Sequence, residues 1–212
     1  PCEGLKLGGG LMSFYEAENK GQTEFENPKE GVHTARPVVL AFTGTVMDEF
    51  QGEKKLKHRL VLIMELETKR SDGKPFTIPL FLNVSVSKFG GFYASNRSNA
   101  HKILSTWLKE EKGSLKAFAN AVVKGIPAQV FLEEKPNSKY MRVDKVKPAK
   151  DATVGHNHGT KPIVWGVGDP VPDGLPTWIV EQSAESFQAK GEAIPVLEFK
   201  KDDGLLDSDV PF

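Results

Sequence analysis

Two hydrophobic rhythms alternate along the chain. From residue 38 the apolar positions fall in short, β-branched runs: VVLAFTGTV (38–46), LVLIMELE (60–67) and FTIPLFLNVSVS (76–87). Each has strand length and is bounded by polar or turn residues. In the third run Leu80, Leu82, Val84 and Val86 share one parity, and Phe81, Asn83 and Ser85 share the other. The pleat therefore sends the two sets to opposite faces. Pro79 has no N–H to give to a ladder and marks an edge or a bulge. Asp72-Gly73, between the second and third runs, is a hairpin signal. MDEFQGEKKLKHR (47–59) reads as a polar connection, and KFGGFYASNRS (88–98) as a loop.

The period then becomes helical. Over NAHKILSTWLKEEKG (99–113), Ile103, Leu104, Trp107 and Leu108 recur at helical spacing, with Ser98 or Asn99 as cap and Gly113 as stop. Ser114 opens a second helix with Leu115, Phe118, Ala119, Val122 and Val123 on one face. AQVFLEEK (128–135) and KYMRVDKVK (139–147) restore the strand pattern, joined by Pro136-Asn137-Ser138. Phe42, Phe118 and Phe131 lie inside apolar runs and read as core.

Three strands, a helical connection and two strands are the order of an OB-fold. The sequence predicts a mainly β protein: a five-stranded OB-fold β-barrel with helices between strands 3 and 4, plus a C-terminal extension. Residues 1–35 read as an N-terminal arm, 36–150 as the OB-fold domain and 151–199 as a Gly/Pro-rich extension. Within that extension Thr177 caps a short helix over WIVEQSAESFQAK. Residues 200–212 form an acidic tail whose composition predicts disorder.

Charge sharpens this division. The formal net charge is zero, but residues 36–150 hold 21 Lys and Arg against 11 Asp and Glu, a surplus of +10. Residues 1–35 carry −3 and residues 151–212 carry −7. A basic middle between acidic ends points to a polyanion as the partner of the middle. It also lets the acidic end fold back on the same basic surface and compete with that partner.

Binding of single strands without sequence preference requires cations along a groove and aromatic faces on which bases stack. Both are present and interleaved. Lys54, Lys55, Lys57 and Arg59 fill the connection between the first two strands, and Lys69 and Arg70 the next. Lys88, Phe89, Phe92, Tyr93 and Arg97 share the glycine-containing loop. Phe81 faces away from the Leu/Val side of its strand, and Tyr140 and Arg142 share one face of the last strand. These fourteen residues are the candidate DNA-binding set. Core packing is the competing role for Phe81 and Phe92.

Other chemistries find less support. His156 and His158 stand two apart in GHNHG, a spacing open to zinc, but two histidines in a Gly-rich linker fit solvated side chains better. GxSxG, GxxxxGK[ST] and HExxH are all absent, and KLGGGLM (6–12) does not sit between a strand and a helix. No enzyme activity, metal or cofactor is expected. The sole cysteine, Cys2, allows no internal disulfide. No apolar run has the length of a membrane span or a signal-peptide core, and a cytoplasmic protein is expected.

The chain ends in DDGLLDSDVPF. Asp207, Asp209, Val210, Pro211 and Phe212 resemble the acidic tip of bacterial single-stranded DNA-binding proteins, which end in aspartates followed by Ile-Pro-Phe. Val stands for Ile here, and Ser208 interrupts the acidic run. Phage members of that group also combine an OB-fold with an acidic tail and a terminal aromatic. The two connector helices and the Trp-containing segment 163–179 are closer to that phage type. The resemblance implies a non-enzymatic protein of phage DNA replication, recombination and repair, working in the host cytoplasm. Its core would coat single-stranded DNA. Its tip would recruit replication or recombination proteins, the terminal ring filling an apolar pocket and the carboxylates meeting Lys or Arg. Two alternatives remain: a replisome adaptor whose OB-like barrel binds protein, and a metal-dependent nuclease using His156 and His158.

Overall fold

The computed structural model describes residues 26–87, 91–134, 141–150, 152, 153, 155 and 160–195. The chain is mainly β. Seven strands form one open sheet in the order β4-β3-β2-β1-β5-β6, with β7 added to β1. β1 (Gly31–Phe50), β2 (Glu53–Lys69) and β3 (Pro75–Val86) form an antiparallel meander. The short β4 (Phe92–Tyr93) extends it at β3. β5 (Ala128–Glu134) pairs with β1 over Gly31–Ala35, and β6 (Met141–Pro148) pairs with β5. Among the described residues no ladder joins β3 to β6, so the sheet is open there.

The first correction concerns residues 47–59. They are not a connecting loop: β1 and β2 run on as a two-stranded ribbon to Phe50 and Glu53. Only Gln51 and Gly52 turn, at φ 54° and 79°. Positive φ at both centre positions is the turn geometry whose twist matches the flanking strands. The ribbon scatters apolar residues, Val46 and the facing Met47 and Leu56, among charged ones, so no sustained hydrophobic alternation announces it.

Inward side chains of β2 and β3 build the main core. Leu60, Leu62 and Met64 face Leu82, Leu80 and Ile78 across the ladder. The helices close this side. Ser98 caps α1 (Asn99–Ile103) as expected, its Oγ accepting from the His101 N–H at 3.1 Å. The helix passes into a π-helical turn (Leu104–Leu108) and stops at Lys109 in the left-handed region, short of Gly113. That turn sets Trp107 inside the core, where Nε1–H donates to the Pro127 carbonyl at 3.0 Å. α2 (Lys116–Lys124) buries Phe118, Ala121 and Val122, and Gly125 ends it at φ 60°. Phe42 packs at the margin of this core, and Phe118 lies at its centre. Phe131 does not belong to it. Ala128, Val130 and Leu132 take the inward parity of β5, and period 2 leaves Phe131 facing out.

Residues 163–190 of the extension are packed structure rather than a linker. β7 (Ile163–Gly166) runs parallel to β1, Val39 beside Ile163 through Phe42 beside Gly166. Trp165, Leu175 and Ile179 bury against Val38, Val39, Ala41, Val61 and Ile63 on the sheet's second face. Each such side chain is worth about 1.5–3 kcal/mol when removed from water, enough to hold a Gly/Pro-rich segment in place. The single expected helix is two: α3 (Thr177–Ala184) and α4 (Phe187–Lys190), broken where Ser186 caps the second. Thr177 lies in α3 rather than capping it.

α4 docks at a β-bulge of β1. Gly44 has φ +97°, and a Cβ there would fall 2.4 Å from Ser186 Cβ. Gln188 then reaches the backbone of Thr45.

Candidate nucleic-acid interface

The open side of the sheet is a groove of about 1680 Å³ between β3 and β6. Its floor includes Ile78, Leu80, Leu82 and Val146, together with Ile103 of α1. Phe81 and Trp178 also line it. Phe81 is 60% exposed, because Leu80 and Leu82 occupy the inward positions of β3. Trp178 is 37% exposed, because its neighbour Ile179 is the residue that α3 buries. The two rings stand 5.8 Å apart at 58°, within the range of favourable aromatic pairs.

Cations line the same groove: Arg142 and Lys145 on β6, Lys102 on α1, and Lys161 ahead of β7. It also holds four carboxylates, of which three are engaged. Glu26 accepts from the Ser71 N–H and Oγ–H. Glu65 accepts from Thr160 Oγ1 at 2.9 Å. Asp144 pairs with Lys145 at 2.8 Å, which raises the Lys145 ammonium above the ordinary lysine value. Asp173 is the fourth.

The outward face of β3 continues this surface. Phe81, Asn83 and Ser85 share it, Arg59 lies opposite Asn83, and Tyr93 opposite Ser85. Tyr93 thus sits about 13 Å along the strand from Phe81, with Arg59 between them. Arg59 is 3.7 Å from the Glu185 carboxylate, on the turn between α3 and α4.

The other expected residues lie elsewhere. Lys54, Lys55 and Lys57 are on the ribbon, where Glu53 pairs with Lys55 at 2.7 Å and Asp48 pairs with Lys57. The Lys55–Glu53 hydrogen bond holds the ammonium above, and the carboxyl below, their ordinary values. Lys69 and Arg70 are at the β2–β3 turn, with Arg70 3.8 Å from Asp72. Arg97 is exposed ahead of α1. Phe92 leans on Phe42, with centroids 4.5 Å apart, and on His58 at 5.5 Å, on the opposite face from Phe81, and it stays 38% exposed.

Lys88, Phe89, Tyr140, His156 and His158 lie outside the described residues, as do Asp207, Asp209, Val210, Pro211 and Phe212. Among the described residues no group of three or more His, Cys, Asp and Glu is placed to hold a metal. No described helix is long and apolar enough to cross a membrane.

The sequence therefore brings Phe81, Arg59, Tyr93 and Arg142 to one surface, and misses Trp178, Lys102, Lys145 and Lys161. Trp178 carried a signal in TWIVE, a ring next to a buried isoleucine on a short helix. Its meeting with Phe81 depends on the docking of α3, which no local pattern encodes. No protein-family model, curated protein or solved structure matches the chain.

Proposed function

We propose that this chain is a non-enzymatic, sequence-independent single-stranded DNA-binding protein of phage replication, recombination and repair. The observation that carries the reading is the exposed Phe81–Trp178 pair in a groove shared with Arg142, Lys145, Lys102 and Lys161. Rings on which bases stack, beside cations for phosphates, are the two requirements of single-strand binding. Viewed as an OB-fold, β1, β2, β3, β5 and β6 are the five barrel strands, and the groove lies at the seam where such a barrel closes. The acidic end, with Asp207, Asp209, Val210, Pro211 and Phe212, competes with DNA for the cationic surface and docks on replication or recombination proteins. The host cytoplasm is the corresponding location.

The test is a fluorescence-anisotropy titration of labelled oligo-dT with the full chain and with a chain lacking the last ten residues. Binding is expected to weaken steeply between about 50 and 200 mM salt, and to be tighter without the tail. Absence of binding at low salt in both forms overturns the reading. That outcome favours the replisome adaptor, for which the apolar floor of the groove offers a peptide site.

A further inference from the structure

Phe131 is an aromatic ring outside both cores. It lies opposite Val32 on β1 and Lys145 on β6, on the outward face of the sheet. The Lys147 ammonium stands 5.0 Å from the centre of its ring. Val32 is 55% exposed, and Lys145 and Lys147 are exposed. Arg142 shares this face opposite Glu133, and Asp144 is the bulged residue that pairs with Lys145. Three cations thus meet two carboxylates around one ring. Lys145 belongs to this face and also to the groove, so the two surfaces are continuous.

Resting on the single-strand reading above, we propose that the strand leaves the groove over Lys145 and crosses β6 onto β5. There a base stacks on Phe131, and Lys147 swings from the ring to a phosphate. Neighbouring strands are about 4.8 Å apart, so Phe131 lies within about one nucleotide of the groove's cationic edge. A ring attended by an ammonium suits this occupant: the aromatic face accepts any base, and the cation is already local.

The experiment compares oligo-dT of about 4 and about 16 nucleotides, a span that brackets single-domain site sizes. The proteins are the full chain and its Phe131→Ala, Phe131→Leu and Lys147→Gln variants, with Phe81→Ala as reference. Both Phe131 variants are expected to weaken the long oligonucleotide about fivefold or more and to leave the short one unchanged. Phe131→Leu keeps an apolar side chain of similar size, so loss of fold does not imitate this pattern. Lys147→Gln is expected to lower the salt slope for the long oligonucleotide by about one. If the parent chain binds and Phe81→Ala weakens it while the Phe131 variants do not, the extended path is overturned and the groove stands. Equal weakening of short and long oligonucleotides also overturns the path. If the parent chain binds neither length, the single-strand reading falls as well.

Discussion

Gln188 and Thr45, 143 residues apart, are joined by two hydrogen bonds. The Thr45 N–H donates to Gln188 Oε1 at 2.8 Å, and Gln188 Nε2–H donates to Thr45 Oγ1 at 2.9 Å. A backbone N–H can only donate, so the amide's orientation is fixed. The hydroxyl hydrogen of Thr45 is then left for Nδ1 of His58, 2.8 Å away. Gln188→Ala removes both bonds, leaving the N–H of the fully buried Thr45 without a partner and its hydroxyl with His58 alone. A loss of about 1–3 kcal/mol is expected, read as a lower urea midpoint with an unchanged slope.

Burial pushes the pKa of His58 below the ordinary imidazole value. A depressed folded pKa means that the unfolded state binds the proton first. The contribution is full above about pH 6.5 and is lost as pH falls from there through the lower folded value. Urea midpoints at about pH 7.5 and about pH 5.5 are expected to differ more for the parent chain than for His58→Asn. Every other ionisable group is common to both proteins, so the comparison isolates position 58. Equal pH dependence in the two proteins contradicts the assignment.

Gly44→Ala tests the docking of α4. At φ +97° an alanine is strained on its own, and its Cβ meets Ser186 Cβ at 2.4 Å. Destabilisation of about 2 kcal/mol or more is expected. Ser186→Gly in the same chain should recover only part of it, because the backbone strain remains.

At the interface, Phe81→Ala and Trp178→Ala should each weaken oligo-dT binding by roughly 5- to 150-fold, the range of one lost base stack. The urea midpoint of Phe81→Ala should barely move, since the ring is largely in solvent. A Phe81→Ala protein that binds like the parent removes the stacking platform from the proposed function.

Glu185 faces Arg59 across 3.7 Å with most of its side chain in solvent. Such a pair adds little stability but holds a cation away from an incoming phosphate. Glu185→Gln is expected to tighten DNA binding about two- to fivefold at low salt, the gain fading as salt screens the pair. No change at low salt would place Arg59 off the DNA path.

The strand runs, the helical connection and the cap at Ser98 were legible because each writes a local period or a local hydrogen bond. The inward row Leu80, Leu82, Val84 and the outward Phe81 followed from period 2 alone. The same rule applied to AQVFLEE places Phe131 outward, but its apolar neighbours made it look buried. Two further features are invisible locally for physical reasons. Beyond Gly44 the ribbon scatters Val46, Met47 and Leu56 among charged residues, so strand and loop look alike there. The packing of residues 163–188 depends on Trp165 and Ile179 finding the back of β1 and β2. Charge summed along the sequence does not show pairing: Lys55 faces Glu53 two residues along its own strand, Lys57 faces Asp48 across the ribbon, Arg70 faces Asp72 within a turn, and Arg59 meets Glu185 through the docking of α3 and α4.

β1 bonds to β2 along one edge and, along the other, to β5, then β7, then the side chain of Gln188. On a ribosome those last two partners emerge more than a hundred residues after the strand itself. Until then residues 39–45 present bare N–H and C=O groups to whatever strand is near. A nascent or prematurely stopped chain is thus sticky at a place where the finished one is sealed. In synthesis the extension acts as the late-arriving cover of an early strand.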